Sequence, residues 1–191
     1  MRPVGFDNTI LSILLNPKSR IPLDPETGRP VTEAKRRAEF LVSRLAKARR
    51  KIVIPTPVAA ELLTAIGPDA RQYFSIVARS RLFDIAAFDF RSAVELACLN
   101  REIFAASDPK TPEQAYQKVK FDRQIIAIFR VAGVDDIYTD DEGLMKRARL
   151  CGLNPIATYQ LELPSDDQQM RLDLEAPGEV PEEVPEGDGR S

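Results

Sequence analysis

The chain has 191 residues, 43% of them hydrophobic, with 29 acidic against 27 basic side chains, so it can bury a core and is nearly balanced in charge. It has no histidine, which excludes Ser-His-Asp and Cys-His nucleophile systems, histidine-bearing zinc sites and imidazole acid–base catalysis. Any catalysis falls to carboxylates, hydroxyls, Lys, Arg or a metal held by oxygen, and an oxygen-only donor set favours Mg2+ or Mn2+ over zinc.

Val4–Phe6 reads as a short buried strand ending at Asp7, and Thr9–Leu15 as a short helix after it. The stretch Asn16–Pro30 is rich in Pro, Lys, Arg and Asp and reads as a loop or insertion, with outer bounds near 16–32. Thr32 can cap a helix to about Ala48, with Ala34, Ala38, Leu41, Leu45 and Ala48 on its apolar face and Lys35, Arg36, Arg37, Arg44 and Lys47 elsewhere. Ile52–Ile54 reads as a strand, followed by a helix from Pro57 to about Ile66 behind a Thr56 cap. Gly67-Pro68 stops it, and a further helix fits Asp69–Ala78. Leu82–Ile85 reads as a third strand and Phe90–Ala106 as a helix. Thr111-Pro112-Glu113-Gln114 starts a helix that should reach about Val131. Asp136–Thr139, a helix over Glu142–Cys151, and Pro155–Thr158 complete the alternation, which implies parallel strands joined by right-handed crossovers.

Charge is spread unevenly along this order. Residues 165–191 carry nine acids and two arginines, a local −7, which leaves +5 on the remainder. A mildly basic body can attract a polyanion, and the acidic, proline-rich tail is expected to stay disordered. The expected organisation is therefore one domain over 1–164 and a tail over 165–191. Cys98 and Cys151, far apart in apolar surroundings, read as two buried thiols of a reducing cytoplasm rather than a disulfide. Neither a phosphate-cradling glycine motif, a signal pattern, nor an apolar run approaching the ~20 residues of a membrane span is visible, so a cytoplasmic protein without a membrane partner is expected.

Four acids stand where an acid is informative. Asp7 ends the first strand, where open parallel sheets bind ligands; a helix cap is the plain alternative. Glu61 borders the stripe Val58, Leu62 and Ala65; a first-turn acid favoured by the helix dipole is the plain alternative and, taken alone, the leading one. Asp122 falls within the stripe Ala115, Val119, Ile126 and Phe129, where a carboxylate is costly unless paired or bound to a cation. Lys118, one turn earlier, is the simplest partner. Asp140 and Asp141 follow the fourth strand, where Thr139-x-x-Glu142 is also a capping box. Several carboxylates can crowd together only with cations to offset their repulsion.

These residues together resemble the PIN-domain family, which includes VapC-type toxins. Phe6-Asp7-Asn8-Thr9-Ile10-Leu11 is similar to its opening strand and acid, with a hydroxyl two residues on. Ile54 through Leu62, with Glu61, resembles the second acidic motif; Lys118–Ile128, centred on Asp122, resembles the third. Ile137-Tyr138-Thr139-Asp140-Asp141 resembles the fourth, with Asp141 as the matching acid and Asp140 as the competing neighbour. Phe88–Ala93 resembles the entry to the family's middle helix, without a catalytic role. The resemblance spans about residues 3–160. It implies a three-layer α/β/α sandwich with a mostly parallel sheet of about five strands. It also implies Mg2+- or Mn2+-dependent cleavage of RNA. Asp7, Glu61, Asp122 and Asp141 would hold metal and Thr9 would position a ligand or water; two-metal sites of this sort work at roughly 3.5–4 Å separation. A small antitoxin protein and a homodimer partner are implied on the same footing.

The insertion and the acidic tail go beyond a compact family member. The insertion with the basic helix would form an RNA-contacting rim or simply a solvated face; the tail would shield that rim or aid solubility. An RNA-processing nuclease outside any toxin–antitoxin pair and a non-catalytic binding module remain the rivals. A haloacid-dehalogenase-type phosphatase needs a second acid where Thr9 stands, and a response-regulator receiver needs paired acids near strand one.

Overall fold

The β-branched and aromatic runs become five strands: β1 (Val4–Phe6), β2 (Ile52–Pro55), β3 (Phe83–Ala86), β4 (Asp136–Tyr138) and β5 (Asn154–Ile156). Among the described residues, six α-helices alternate with them: α1 (Asn8–Leu15), α2 (Ala34–Lys47), α3 (Thr56–Ile66), α4 (Phe90–Leu99), α5 (Glu113–Val131) and α6 (Glu142–Leu150). These elements belong to a computed structural model that describes residues 1–70, 75, 77, 79–104 and 113–165. Most of the helix expected over Asp69–Ala78, the Thr111-Pro112 start, Ala105–Ala106 and the tail beyond Ser165 lie outside the described residues.

The sheet is all parallel, in the order β3-β2-β1-β4-β5. Val4 pairs with Ile52 and with Asp136, and Phe6 pairs with Tyr138. Side chains alternate along a strand, so Val4, Phe6, Ile52, Ile54 and Tyr138 share one face and Gly5, Val53 and Ile137 the other. Helix α2 covers the first face: Phe40, Leu41 and Leu45 line a crevice together with Tyr138 and Ile156. Helix α5 covers the second, where Phe129 lies fully buried against Gly5. Helix α1 packs on α2 and α3, while α4 and α6 pack on α5. The result is a three-layer α/β/α sandwich. Residues Ile125–Phe129 are all buried, as a helix enclosed by a sheet and two neighbours requires.

The structure changes several boundaries. Helix α2 begins at Ala34 behind Glu33, which sits at φ 52, so Thr32 is not its cap; Val42 is the buried residue of its stripe where Ala48 is exposed. Thr56 is the first residue of α3 and makes no capping bond. After Leu99 the chain forms a π turn over Asn100–Phe104 instead of continuing α-helical. Cys98 is only half-buried, whereas Cys151 is buried. The insertion is tied across its base by Val31 N–H to the Pro22 carbonyl (2.9 Å) and Asp24 N–H to the Arg29 carbonyl (2.8 Å), around an antiparallel bridge between Leu23 and Pro30. No helix among the described residues is long and apolar enough to cross a membrane.

Gly5 is required by packing. A Cβ there would stand 2.5 Å from Cε1 of Phe129, whose ring is itself fully buried. Gly5→Ala should therefore overpack the sheet–helix seam and destabilise the protein by about 1–3 kcal/mol, read as a lowered Tm. An unchanged Tm would mean that α5 is not seated on β1 in this way.

Candidate functional site

The carboxyl ends of β1 and β4 are neighbours, and Thr139 ties them together. Its buried hydroxyl donates to Oδ2 of Asp7 (2.8 Å) and accepts from the Asp141 amide (3.0 Å). Thr139 therefore does not cap α6. Asp141 does, accepting from the Leu144 amide at 3.0 Å. Asp7 stands at the N-terminus of α1 but makes no side-chain cap there, so the capping explanation of Asp7 fails. It is only 5% exposed.

Asp122 reaches the same place from α5 and is 6% exposed. Its partner is Arg147 of α6, whose Nη1 donates to Oδ2 at 2.9 Å; Lys118 instead pairs with Oδ2 of Asp141 at 2.7 Å. Glu61 arrives from α3; the residue is solvent-exposed overall, yet it lines the same cleft as Asp7, Asp122, Asp141 and Lys118, a space of about 330 Å³. Four acids from four chain segments thus share one cleft. Thr9 also lines it, but its hydroxyl accepts from the Asp140 amide at 3.0 Å and so fixes the turn after β4. Asp140 is absent from the cleft wall. It accepts from the amide (2.8 Å) and hydroxyl (2.5 Å) of Thr158, which makes Asp141 the acid that faces the others.

Charge in the cleft is unbalanced. Burial pushes the Asp7 carboxyl up, with repulsion from Asp141 adding to it, against the hydrogen bond from Thr139. Partial burial raises Glu61, and Asp7 and Asp141 raise it further. Asp122 is raised to about 6 by burial and by Asp141, despite Arg147 and Lys118. Burial also acts on Asp141, but the Lys118 ammonium and the Leu144 amide outweigh it and hold this carboxyl below its ordinary value. Lys118 is raised, chiefly by its hydrogen bond to Asp141.

The donor set is all carboxylate oxygen, which fits a hard divalent cation. Two intramolecular cations still leave three of the acids raised, so further positive charge in the cleft would be favourable. As the side chains stand, no three carboxylates or thiols among the described residues are grouped to hold one ion. Lys118 and Arg147 each occupy a carboxylate oxygen that a metal would compete for.

The sequence pattern offered Lys118 to Asp122 rather than Asp141, read Thr139 as a helix cap, and gave no role to Arg147 or Gly143. A Cβ at Gly143 would meet Nη1 of Arg147 at 3.0 Å and Oδ1 of Asp141 at 3.1 Å, so glycine leaves room for these groups to approach. A glycine in the first turn of a helix, where alanine would be favoured by about 1 kcal/mol, was the available signal. Compared with protein-family models and with curated proteins, the chain matches none.

Asp122 titrates above its ordinary value of 3.8, so the folded protein holds this proton more tightly than the unfolded chain. The associated stability is present at low pH and is lost as pH rises from 3.8 through about 6. In metal-free buffer, Asp122→Asn can still accept from Arg147 but carries no charge. Its Tm relative to wild type should climb across that window and level off above it. A difference that stays flat with pH would contradict the charge account.

Proposed function

We propose that this protein is a PIN-like, divalent-metal-dependent endoribonuclease. The observation that carries this reading is the convergence of Asp7, Glu61, Asp122 and Asp141 in one cleft beyond the carboxyl ends of a parallel sheet. Ligand sites of open α/β sheets occur at that edge. The order of the acids along the chain is also the order in which the PIN resemblance expects them.

Mg2+ or Mn2+, when bound, would supply an activated water as nucleophile and charge neutralisation at the phosphodiester. The chain's own contribution is positioning. Asp7 and Asp122, both buried, would hold the ion, and Thr139 fixes the Asp7 carboxylate by its hydrogen bond. Glu61 and Asp141 would complete the acidic wall. Lys118, with a side chain 64% exposed at the rim, is free to exchange Asp141 for a phosphate oxygen. Phe121, 48% exposed on the same wall, offers a face on which a base can stack.

A second reading rests on the Asp122–Arg147 and Asp141–Lys118 pairs. On that view the acids are neutralised internally and the protein is a binding module. Within the nuclease reading we favour the toxin of a toxin–antitoxin pair, with a small antitoxin protein and a homodimer as partners. The alternative is an RNA-processing enzyme.

Purified protein should cut RNA with Mg2+ or Mn2+ and stop in EDTA. Asp7→Asn or Asp122→Asn should lower the rate at least about a hundredfold, since several kcal/mol of charge stabilisation would go with the metal. Full activity in EDTA, or in Asp122→Asn, would end the proposal. Sequencing RNA ends after controlled expression of wild type and Asp7→Asn identifies the target. Growth arrest that a small neighbouring protein relieves separates a toxin from a processing enzyme.

A further inference from the structure

A second cavity adjoins the acidic cleft and is larger than it, at about 630 Å³. That lies within the roughly 300–1,000 Å³ usual for small-molecule sites. The two spaces share a wall, because Asn8 and Thr9 line both. The far side of the larger one is the insertion, which contributes Lys18 and Arg20. Neither cation forms an ion pair with a described residue.

The chain spends local bonds on shaping this wall. The Asn16 side chain accepts from the Lys18 amide at 3.0 Å, and the Asn16 carbonyl from the Ser19 amide at 2.9 Å, which folds the turn that presents Lys18. Further along, Ile21 packs against the core and the Pro22–Val31 bond closes the base of the loop. The one carboxylate in the lining, Asp140, already has both oxygens engaged by Thr158. The Ser12 hydroxyl donates to Oδ1 of Asn8 at 3.1 Å, so Asn8 keeps its Nδ2 donors and Ser12 its Oγ as an acceptor. What remains for a ligand is two cations, these two polar groups of α1, and an apolar edge at Pro22 and Leu23. That combination suits a phosphate, a base edge and a base face, in that order.

We propose that this cavity is a nucleotide subsite: it takes one unstacked nucleotide of a single-stranded substrate, beside the phosphate presented to the acids. Lys18 and Arg20 hold its phosphate, Asn8 and Ser12 meet its polar edge, and Pro22 and Leu23 cover its base. The inference rests on the nuclease reading for the identity of the strand. Recognition of this kind is usual for single strands, whose bases can leave the stack and offer their edges.

The test is binding of a short, fluorescently labelled single-stranded RNA to the full chain in EDTA, across a series of salt concentrations. Lys18→Ala/Arg20→Ala changes two exposed side chains and should fold normally. It should weaken binding about tenfold and reduce the slope of log K against log salt by about 0.7, the loss of one neutralised phosphate on a single strand. Lys146→Ala/Arg149→Ala removes the same charge from exposed positions on α6 and should leave the slope as in wild type. If both double variants behave alike, the subsite is overturned and only net charge matters. An unlabelled nucleoside monophosphate that competes as strongly as the strand would also overturn it, in favour of a free-nucleotide site. Failure of the nuclease reading looks different: no cleavage with metal in wild type, while the pocket variant still loses RNA binding. With cleavage present, the pocket variant should raise KM and spare kcat.

Discussion

The contact between Gly5 and Phe129 sets the geometry on which the rest depends. It lets α5 lie directly against the central strand β1, closer than any side chain on Gly5 would allow. Asp122 is seven residues before Phe129, about two helical turns and therefore the same face. Asp7 is two residues beyond Gly5. Seating the ring on the glycine thus carries one buried carboxylate over the end of β1, where the other already stands. The Thr139 hydroxyl then joins β1 to β4 and draws Asp141 into the same space.

The site works against stability. Three carboxylates are held above their ordinary values, and the two cations that reach them, Lys118 and Arg147, come from neighbouring helices rather than from the strands. A core of this size can tolerate such a cluster because, among the described residues, the buried residues of the strands and of α5 other than Asp122 are apolar. Unfavourable charge concentrated at one edge of an otherwise consistent fold is the pattern expected of a functional cleft. Arg147 and Lys118 act here as internal counter-ions, which a divalent cation would replace on the proposed nuclease reading.

Much of the fold was legible because its signals are local. Alternating short apolar runs and amphipathic stretches announce a parallel α/β sheet, and the five strands lie within a few residues of their expected places, while the helix expected over Phe90–Ala106 gives way to a π turn after Leu99. Asp122 was legible because it interrupts an apolar stripe, and Asp7 because it ends a strand. The choice between Asp140 and Asp141 was not, since it turns on Thr158, 18 residues on, taking Asp140 away. The Arg147–Asp122 pair crosses between two helices 25 residues apart in sequence, and no periodicity reports it. The Thr139–Asp7 bond spans 132 residues, so the local capping pattern at Thr139 pointed to the wrong partner. The cavity beside the insertion depends on how residues 16–31 fold back, which their composition alone does not disclose.

On the proposed reading, Asp7, Glu61, Asp122 and Asp141 together hold a divalent cation. Titrating Mn2+ into wild type and Asp7→Asn, with binding followed by electron paramagnetic resonance of the free ion, tests it without reference to any RNA. Wild type should bind Mn2+ saturably, Mg2+ should displace it, and Asp7→Asn should weaken binding by at least about tenfold, the loss of one buried anionic ligand. Equal binding by both proteins, or none by wild type, would contradict it and leave the acids as the internally paired cluster of a binding module.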